Sequence, residues 1–394
     1  PLPASADLLT ESALLARWLS VPTRWASEMV WSLPDADAQL GAVSRSHCKQ
    51  LHPSLGRKKF NLVTWLPRQK HEASVGLLVL GDSYADNFDM GFECWQTLLA
   101  RQCRLSSLNV ACGGARISEY RSQLVTATAA CEELGLRHTA ETLVVVHAGG
   151  NDFLQALVLP PLLLLLFLDI VRCGARRALG LPRFDAASPP LLSFVGLSAR
   201  WLALQLRLLV AALHRLGYRR VLVSGPVITP SLPLARAVVT ILMLGLVRAS
   251  FVDATLRDFS ELLAATARDE ALPQLEARHA GMQLAFFDGA GELTQLAARS
   301  DEERHGVVGT LRLLMARRRP TPRTSFWRDG HHPTAVVHAE LALRARAALS
   351  NAGLLPPPAA DVPARSSAKA ALASQHDRSR GEGREAPQVP LLGT

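Results

Sequence analysis

The chain has 394 residues, 48% of them apolar, enough for one large domain with a substantial core plus extensions. Its net charge of +9 is mostly arginine, with lysine only at positions 49, 58, 59, 70 and 369; no nucleic-acid motif accompanies that charge, and arginine scattered over helical stretches reads as solvated faces ahead of attraction to anionic headgroups or acidic glycans. Cysteines stand at 48, 94, 103, 112, 131 and 173 with no Cys-x-x-Cys pair, so zinc and dithiol chemistry are unsupported, while the even count permits disulfides, Cys94 with Cys103 being one pairing.

Residues 1–72 read as an extension. Leu8 to Leu33 carries apolar residues at helical spacing, with Trp18, Trp25 and Trp31, and reads as a helix packed on the domain rather than a membrane anchor. His52 to Lys70 is basic and irregular. The first residue is Pro1, so the chain reads as a fragment or processed form. No signal peptide can be read, and a secreted or lumenal location is the weak preference left.

From Val75 onward, apolar strand-like runs alternate with helical stretches. The strand-like runs are Val75–Leu80, Leu105–Val110, Thr142–His147, Arg220–Ser224 and Gln283–Phe287. The helical stretches include Met90–Cys103, Ile117–Leu134, Leu197–Leu216, a broken Leu234–Arg268, and Ala335–Ser350. Such alternation predicts a parallel sheet covered by helices on both faces. Phe153 to Val171 is nearly continuous apolar sequence, but Pro160 and Pro161 break it and Asp169 would be costly in lipid. A membrane span is rejected, leaving a buried helix or a lid over the site in balance. Val238 to Val247 is a second apolar stretch, lining the same side or packed in the core. Pro356 to Thr394 is rich in Pro, Ala, Ser, Arg and Gly and is expected to be disordered. The domain division is therefore 1–72, 73–352 and 353–394.

Four short blocks carry chemistry. Gly81-Asp82-Ser83-Tyr84-Ala85-Asp86 follows the first strand, placing Ser83 at the carboxyl end of a sheet strand, where open α/β sheets build their sites. Asn109-Val110-Ala111-Cys112-Gly113-Gly114-Ala115 follows the second and offers backbone N–H donors. Gly149-Gly150-Asn151-Asp152 follows the third; the Asn151 amide has two N–H donors that can meet an oxyanion. Asp152 looks structural, a carboxylate suited to holding turn N–H groups. The last block, Asp329-Gly330-His331-His332-Pro333-Thr334, supplies a histidine with a carboxylate three residues before it. Each block alone is weak, because a glycine turn or a helix cap explains it equally well. Four in order make the parts list for acyl transfer through a serine.

These blocks resemble those of the SGNH (GDSL-type) hydrolase family over about residues 73–352. The resemblance rests on Gly-Asp-Ser with Asp86 three residues after the serine, Asn-x-Ala-x-Gly-Gly-Ala, Gly-Gly-Asn-Asp, and Asp-x-x-His-Pro-Thr. It implies a three-layer α/β/α fold with a five-stranded, parallel, flavodoxin-like sheet. It also implies Ser83 as nucleophile, His332 as base and Asp329 as the group that orients the imidazole. The implied oxyanion hole is the Ser83 N–H, the Gly114 N–H and the Asn151 side chain, with Gly113 as the adjacent alternative to Gly114. Spacing from Asp329 selects His332 over His331. His147 reads as a strand residue, and His338, on the terminal helix, receives no catalytic role. The leucine-rich stretch from 153 to 200 departs from the family.

The expected function is a serine hydrolase cleaving carboxylic esters of lipids or other acyl groups, with no organic cofactor and no metal. The rivals are acyl transfer to an alcohol by the same residues, a carbohydrate O-acetylesterase, and a non-catalytic lipid- or glycan-binding relative. The expected partner is an ester substrate; membrane-surface contact and oligomeric state stay open.

Overall fold

A computed structural model describes residues 63–68, 73–90, 92–148, 150–156, 160–182, 193–244, 246–298, 326–327 and 332–355. The expected Leu8–Leu33 helix, the disordered tail from Pro356, Cys48 and Asp329 lie outside the described residues.

In chain order, β1 (Thr64–Leu66) and β2 (Leu77–Leu80) are followed by the short α1 (Asn87–Met90), α2 (Trp95–Gln102) and β3 (Ser107–Asn109). A 3₁₀ turn (Ile117–Glu119) enters α3 (Tyr120–Leu134), then come β4 (Leu143–His147), α4 (Gly150–Ala156), α5 (Pro160–Ala178), α6 (Phe194–Arg215) and β5 (Arg220–Ser224). Next are α7 (Pro233–Leu242) and α8 (Ala249–Ala265), which runs through a π-helical turn (Thr266–Ala271) into α9 (Leu272–Arg278). The described chain ends with β6 (Gln283–Phe287), α10 (Gly289–Ala298) and α11 (Ala335–Asn351).

The strands form one sheet in the order β1-β3-β2-β4-β5-β6. All neighbours are parallel except β1, which runs antiparallel to β3 with Trp65 opposite Leu108. The sheet is therefore six-stranded and mixed, which corrects the expectation of a five-stranded, all-parallel one. The reason is physical: Thr64-Trp65-Leu66 is three residues in a basic, irregular segment, too short to show a strand's period, and an antiparallel edge strand is a common addition to a parallel sheet. Leu78, at the centre, pairs with Leu108 on one side and Val144 on the other. Every residue of β2, β3 and β4 is buried. Burial on both faces explains why β2 and β4 read as near-continuous apolar runs instead of alternating ones, while β3 buries the polar Ser107 and Asn109 beside Leu108.

From β2 the chain moves one way to β3 through α2, and then the other way to β4, β5 and β6 through α3, α6 and α8. Right-handed crossovers in opposite directions put helices on opposite faces. The packing agrees: α2 lies against α11, and α10 against α11, while α6 packs on α3, α5 and α8. Local signals set the ends. Gly135 closes α3 with φ at 64°, Ser193 caps α6 by accepting the Gly196 N–H, and Pro233 occupies the first turn of α7. The reversal of direction falls at β2, between β3 and β4, so the strand ends Leu80, Asn109 and His147 open onto one crevice.

The stretch 153–171 is divided between two helices. Phe153 ends up beside the crevice, whereas α5 is a surface helix that buries Leu162, Leu166 and Ile170 and exposes Leu164, Leu168 and Val171. Neither a lid nor a fully buried helix describes it. The five described cysteines are all free thiols. Cys94 and Cys103 flank the two ends of α2, so the helix itself, rising about 1.5 Å per residue, holds them too far apart to bridge.

Candidate active site

Ser83 sits in the turn that follows β2, ahead of α1, at 7% exposure. Gly81 precedes it where the chain comes closest to its neighbours: an added Cβ would stand 2.8 Å from the Ala85 Cβ. The turn is held from three sides. Gln123 of α3 accepts the Gly81 N–H at 2.9 Å and donates to the Gly81 carbonyl at 2.7 Å. Cys112 N–H reaches the same carbonyl at 3.1 Å. Asp82 accepts the Tyr84 N–H through Oδ1 at 3.0 Å, closing the turn locally as an Asx motif does.

The second block is tied to the first. Asn109 donates to the Ala85 carbonyl at 2.7 Å and accepts the Ala111 N–H at 2.9 Å. The Asp86 carboxylate accepts the Gly113 N–H at 2.8 Å. That bond takes up the N–H of Gly113, the alternative donor. Gly114 follows with φ at 85°, a conformation glycine adopts without strain. Asn151, in the first turn of α4, donates through Nδ2 to the Ala115 carbonyl at 3.1 Å, fixing its amide beside this block with a second N–H on the same nitrogen. Asp152 is structural, as its residue type suggests: it accepts Ile117 N–H at 2.9 Å and Trp201 Nε1–H at 2.9 Å.

His332 comes from the far end of the domain. Its Nε2 lies 2.8 Å from Ser83 Oγ, across 249 residues of sequence, and the ring is 4% exposed. The flanks of its loop are pinned together by a bridge between Trp327 and Pro333 and by the Thr334 N–H donating to the Phe326 carbonyl at 3.0 Å. Asp329 and His331 are outside the described residues; of the expected set, Ser83 is paired with His332, Ser83 and Asn151 line one cleft, and Gly114 lies in the loop whose neighbours Cys112 and Gly113 bond Gly81 and Asp86. A serine hydroxyl within hydrogen-bond reach of an imidazole is the arrangement that activates oxygen as a nucleophile.

No family model matches the chain, and no curated protein matches it in sequence. Among solved structures, it is similar to a protein of Slackia heliotrinireducens named as a putative SGNH hydrolase, at 14% identity and a TM-score of 0.34, over 70% of this chain and 99% of that one. At that level of likeness the geometry of the site carries the functional argument by itself.

Sequence reasoning passed over several residues that complete the cleft. His147 is the last residue of β4, as expected for a strand residue, and also lines the cleft. Its ring stacks on Tyr84 with centroids 5.1 Å apart, and Tyr84 in turn lies 5.5 Å from the His332 ring. Among the described residues neither buried His147 ring nitrogen has a hydrogen-bond partner, and Nε2 stands 3.9 Å from Asp82 Oδ1. Burial pushes the Asp82 carboxyl up to about 7 and the His147 imidazole down to about 4; both effects come from the cost of charge away from water. The opposite wall is apolar, made by Phe153, Val227, Ile228, Leu232, Ala235 and Val238. Val227 and Ile228 follow the carboxyl end of β5, so the strand-end rule was the signal that could have found them. His338 is a buried packing residue: Nδ1 accepts the Trp95 N–H at 3.0 Å, and burial drops its pKa to about 3.

Among the described residues no group of three or more His, Cys, Asp or Glu side chains is arranged to hold a metal ion.

Proposed function

We propose that the protein is a serine hydrolase of the SGNH type that cleaves carboxylic esters through an acyl-enzyme. The observation that carries this reading is the 2.8 Å approach of His332 Nε2 to Ser83 Oγ at the carboxyl end of a central strand. In the proposed cycle, His332 takes the Ser83 proton as Oγ attacks the ester carbonyl. The oxyanion is met by the N–H groups of Ser83 and Gly114 and by the Asn151 amide. His332 then gives the proton to the leaving alkoxide, and the acyl group stays on Ser83. Water, deprotonated by the same imidazole, attacks the acyl-enzyme; the proton returns to Ser83 as the acid leaves. Asp329 is assigned the task of holding the His332 tautomer, on the strength of its spacing.

The apolar wall from Phe153 to Val238 supports an acyl group as the part of the substrate bound there. Hydrolysis of nitrophenyl esters from acetyl to palmitoyl, for wild type and Ser83→Ala, tests the reading. Turnover lost in Ser83→Ala and an optimum beyond acetyl are expected. Equal turnover in both proteins would remove Ser83 from the mechanism, and a folded wild type inactive on every chain length would overturn the reading as a whole.

A further inference from the structure

The apolar wall of the cleft continues onto the protein surface. Leu232, Ala235 and Val238 line the cleft from the start and middle of α7. One turn further the same helix carries Ile241, 57% exposed, and beyond its end stand Leu244 and Leu246, 82% and 84% exposed. Leu244 has φ at 53°, a region that a branched side chain enters at a cost. Isolated exposed leucines are ordinary, but these extend a cleft wall, and a second apolar strip lies on α5, which packs against the same helix, α8, as α7 does.

That strip is the outer face of α5, where Leu164, Leu168 and Val171 recur at intervals of four and three residues and are all exposed. The two regions meet through α8. Phe251, in the first turn of α8, lies so close to Gly174 of α5 that a Cβ there would stand 2.9 Å from its ring. Arg177 of α5 bonds Asp258 of α8.

The exposed charge of this face is mostly positive. Residues 160–182 contain a single acidic side chain, Asp169, and residues 232–252 contain none; on the intervening α8, Asp253 is paired with Arg236 and Asp258 with Arg177. Asp169 is fully buried, where it accepts from Ser193 Oγ, the Val195 N–H and Arg172. What the surface presents beside the leucines is therefore arginine: Arg172, Arg176 and Arg177 toward the end of α5, and the exposed Arg248 after Leu246. Leucines flanked by arginines, without exposed acid, suit an interface that is apolar below and anionic above.

We propose that this face, α5 with the exposed end of α7, docks the protein on an anionic lipid surface and turns the cleft mouth toward it. The inference extends the ester-hydrolase reading by naming an aggregated lipid ester as the substrate form, but binding itself needs no catalysis.

The test is sedimentation of the full chain carrying Ser83→Ala with vesicles of phosphatidylcholine alone and of phosphatidylcholine with phosphatidylserine. Binding to the mixed vesicles, weaker binding to the neutral ones, and release by salt are expected. Leu164→Glu with Leu168→Glu, and separately Leu244→Glu with Leu246→Glu, should each weaken vesicle binding about tenfold or more. In the Ser83 background these pairs should leave turnover of a soluble acetyl ester unchanged, which also certifies that they fold. Milder Leu→Ser pairs serve if either glutamate pair is unfolded. No binding by the parent protein, equal binding by the leucine variants, or a dimer in light scattering that these substitutions dissociate would each overturn the docking proposal. Absence of soluble-ester turnover in the protein that keeps Ser83 would instead strike the hydrolase reading.

Discussion

At the scale of single residues, hydrogen bonds inside the cleft loops fix the groups that the proposed mechanism uses. Asp86 occupies the Gly113 N–H at 2.8 Å, and the Ala115 carbonyl occupies one N–H of the Asn151 amide at 3.1 Å. These bonds hold the loop that carries Gly114 and the amide of Asn151, the two donors proposed for the oxyanion beside the Ser83 N–H. Pre-placed donors are what an oxyanion requires, since a donor that must reorganise during reaction contributes less. Replacing Asn151 by Ala should lower kcat on a nitrophenyl ester about a hundred- to a thousand-fold with KM little changed. A loss confined to KM, or no loss, would take Asn151 out of the oxyanion hole. Asp86→Ala should act more mildly: it frees the Gly113 N–H and loosens the loop that presents Gly114. The blocks at strand ends were legible as turns because their glycines and short polar residues are turn-formers. What the blocks could not reveal was that Asp86 takes up the Gly113 N–H, a bond between residues 27 positions apart.

At the scale of elements, α3 holds the turn that carries Ser83, the proposed nucleophile. Its Gln123 is fully buried and grips both polar groups of the Gly81 peptide at 2.9 and 2.7 Å. Gln123→Leu keeps the volume but leaves the Gly81 N–H without its acceptor, while the carbonyl retains Cys112 N–H. A buried orphan donor costs about 1–3 kcal/mol, so urea unfolding should register a loss of that size. Because the freed peptide is two residues from Ser83, kcat should fall as well. Stability reduced with kcat intact would mean that the clamp serves the fold alone. Nothing in the sequence marks Gln123, a polar residue inside an amphipathic helix, as different from its solvated neighbours. Elements whose period is long were legible: β5 and β6 begin and end where the apolar runs do, and α11 differs from Ala335–Ser350 by a single residue. The three-residue β1 was illegible because a strand of that length has no period. The π-helical turn at Thr266–Ala271 was illegible because a phase shift confined to one turn is too short to stand out from the apolar pattern of the helix around it.

At the scale of the whole molecule, the same crevice sets how stability follows pH. Asp82 holds its proton up to about pH 7 in the folded state, against 3.8 for an ordinary aspartate. Between those values the folded protein carries a proton that the unfolded chain has released, so this group makes stability fall as pH rises. The full effect is of the order of 4 kcal/mol at most, from about 1.36 kcal/mol per pKa unit. His147 and His338 act with the opposite sign. Burial lowers them to about 4 and about 3 from 6.5, so the unfolded chain binds more protons and stability rises with pH up to about 6.5. Between about pH 4 and 6.5 the two histidines therefore outweigh the aspartate, and above that only the Asp82 loss remains. Asp82→Asn separates the contributions, because the amide oxygen can still accept the Tyr84 N–H while no longer titrating. Unfolding free energies for both proteins at about pH 4 and about pH 8 should diverge, the variant gaining roughly 3–4 kcal/mol on wild type across that range. A constant difference would mean that the Asp82 carboxyl ionises as freely in the fold as outside it. The same substitution bears on catalysis: if the buried carboxyl's ionisation beside Ser83 shapes the alkaline part of the rate profile, Asp82→Asn should flatten the change in kcat near pH 7. An unchanged inflection there would assign it to another group.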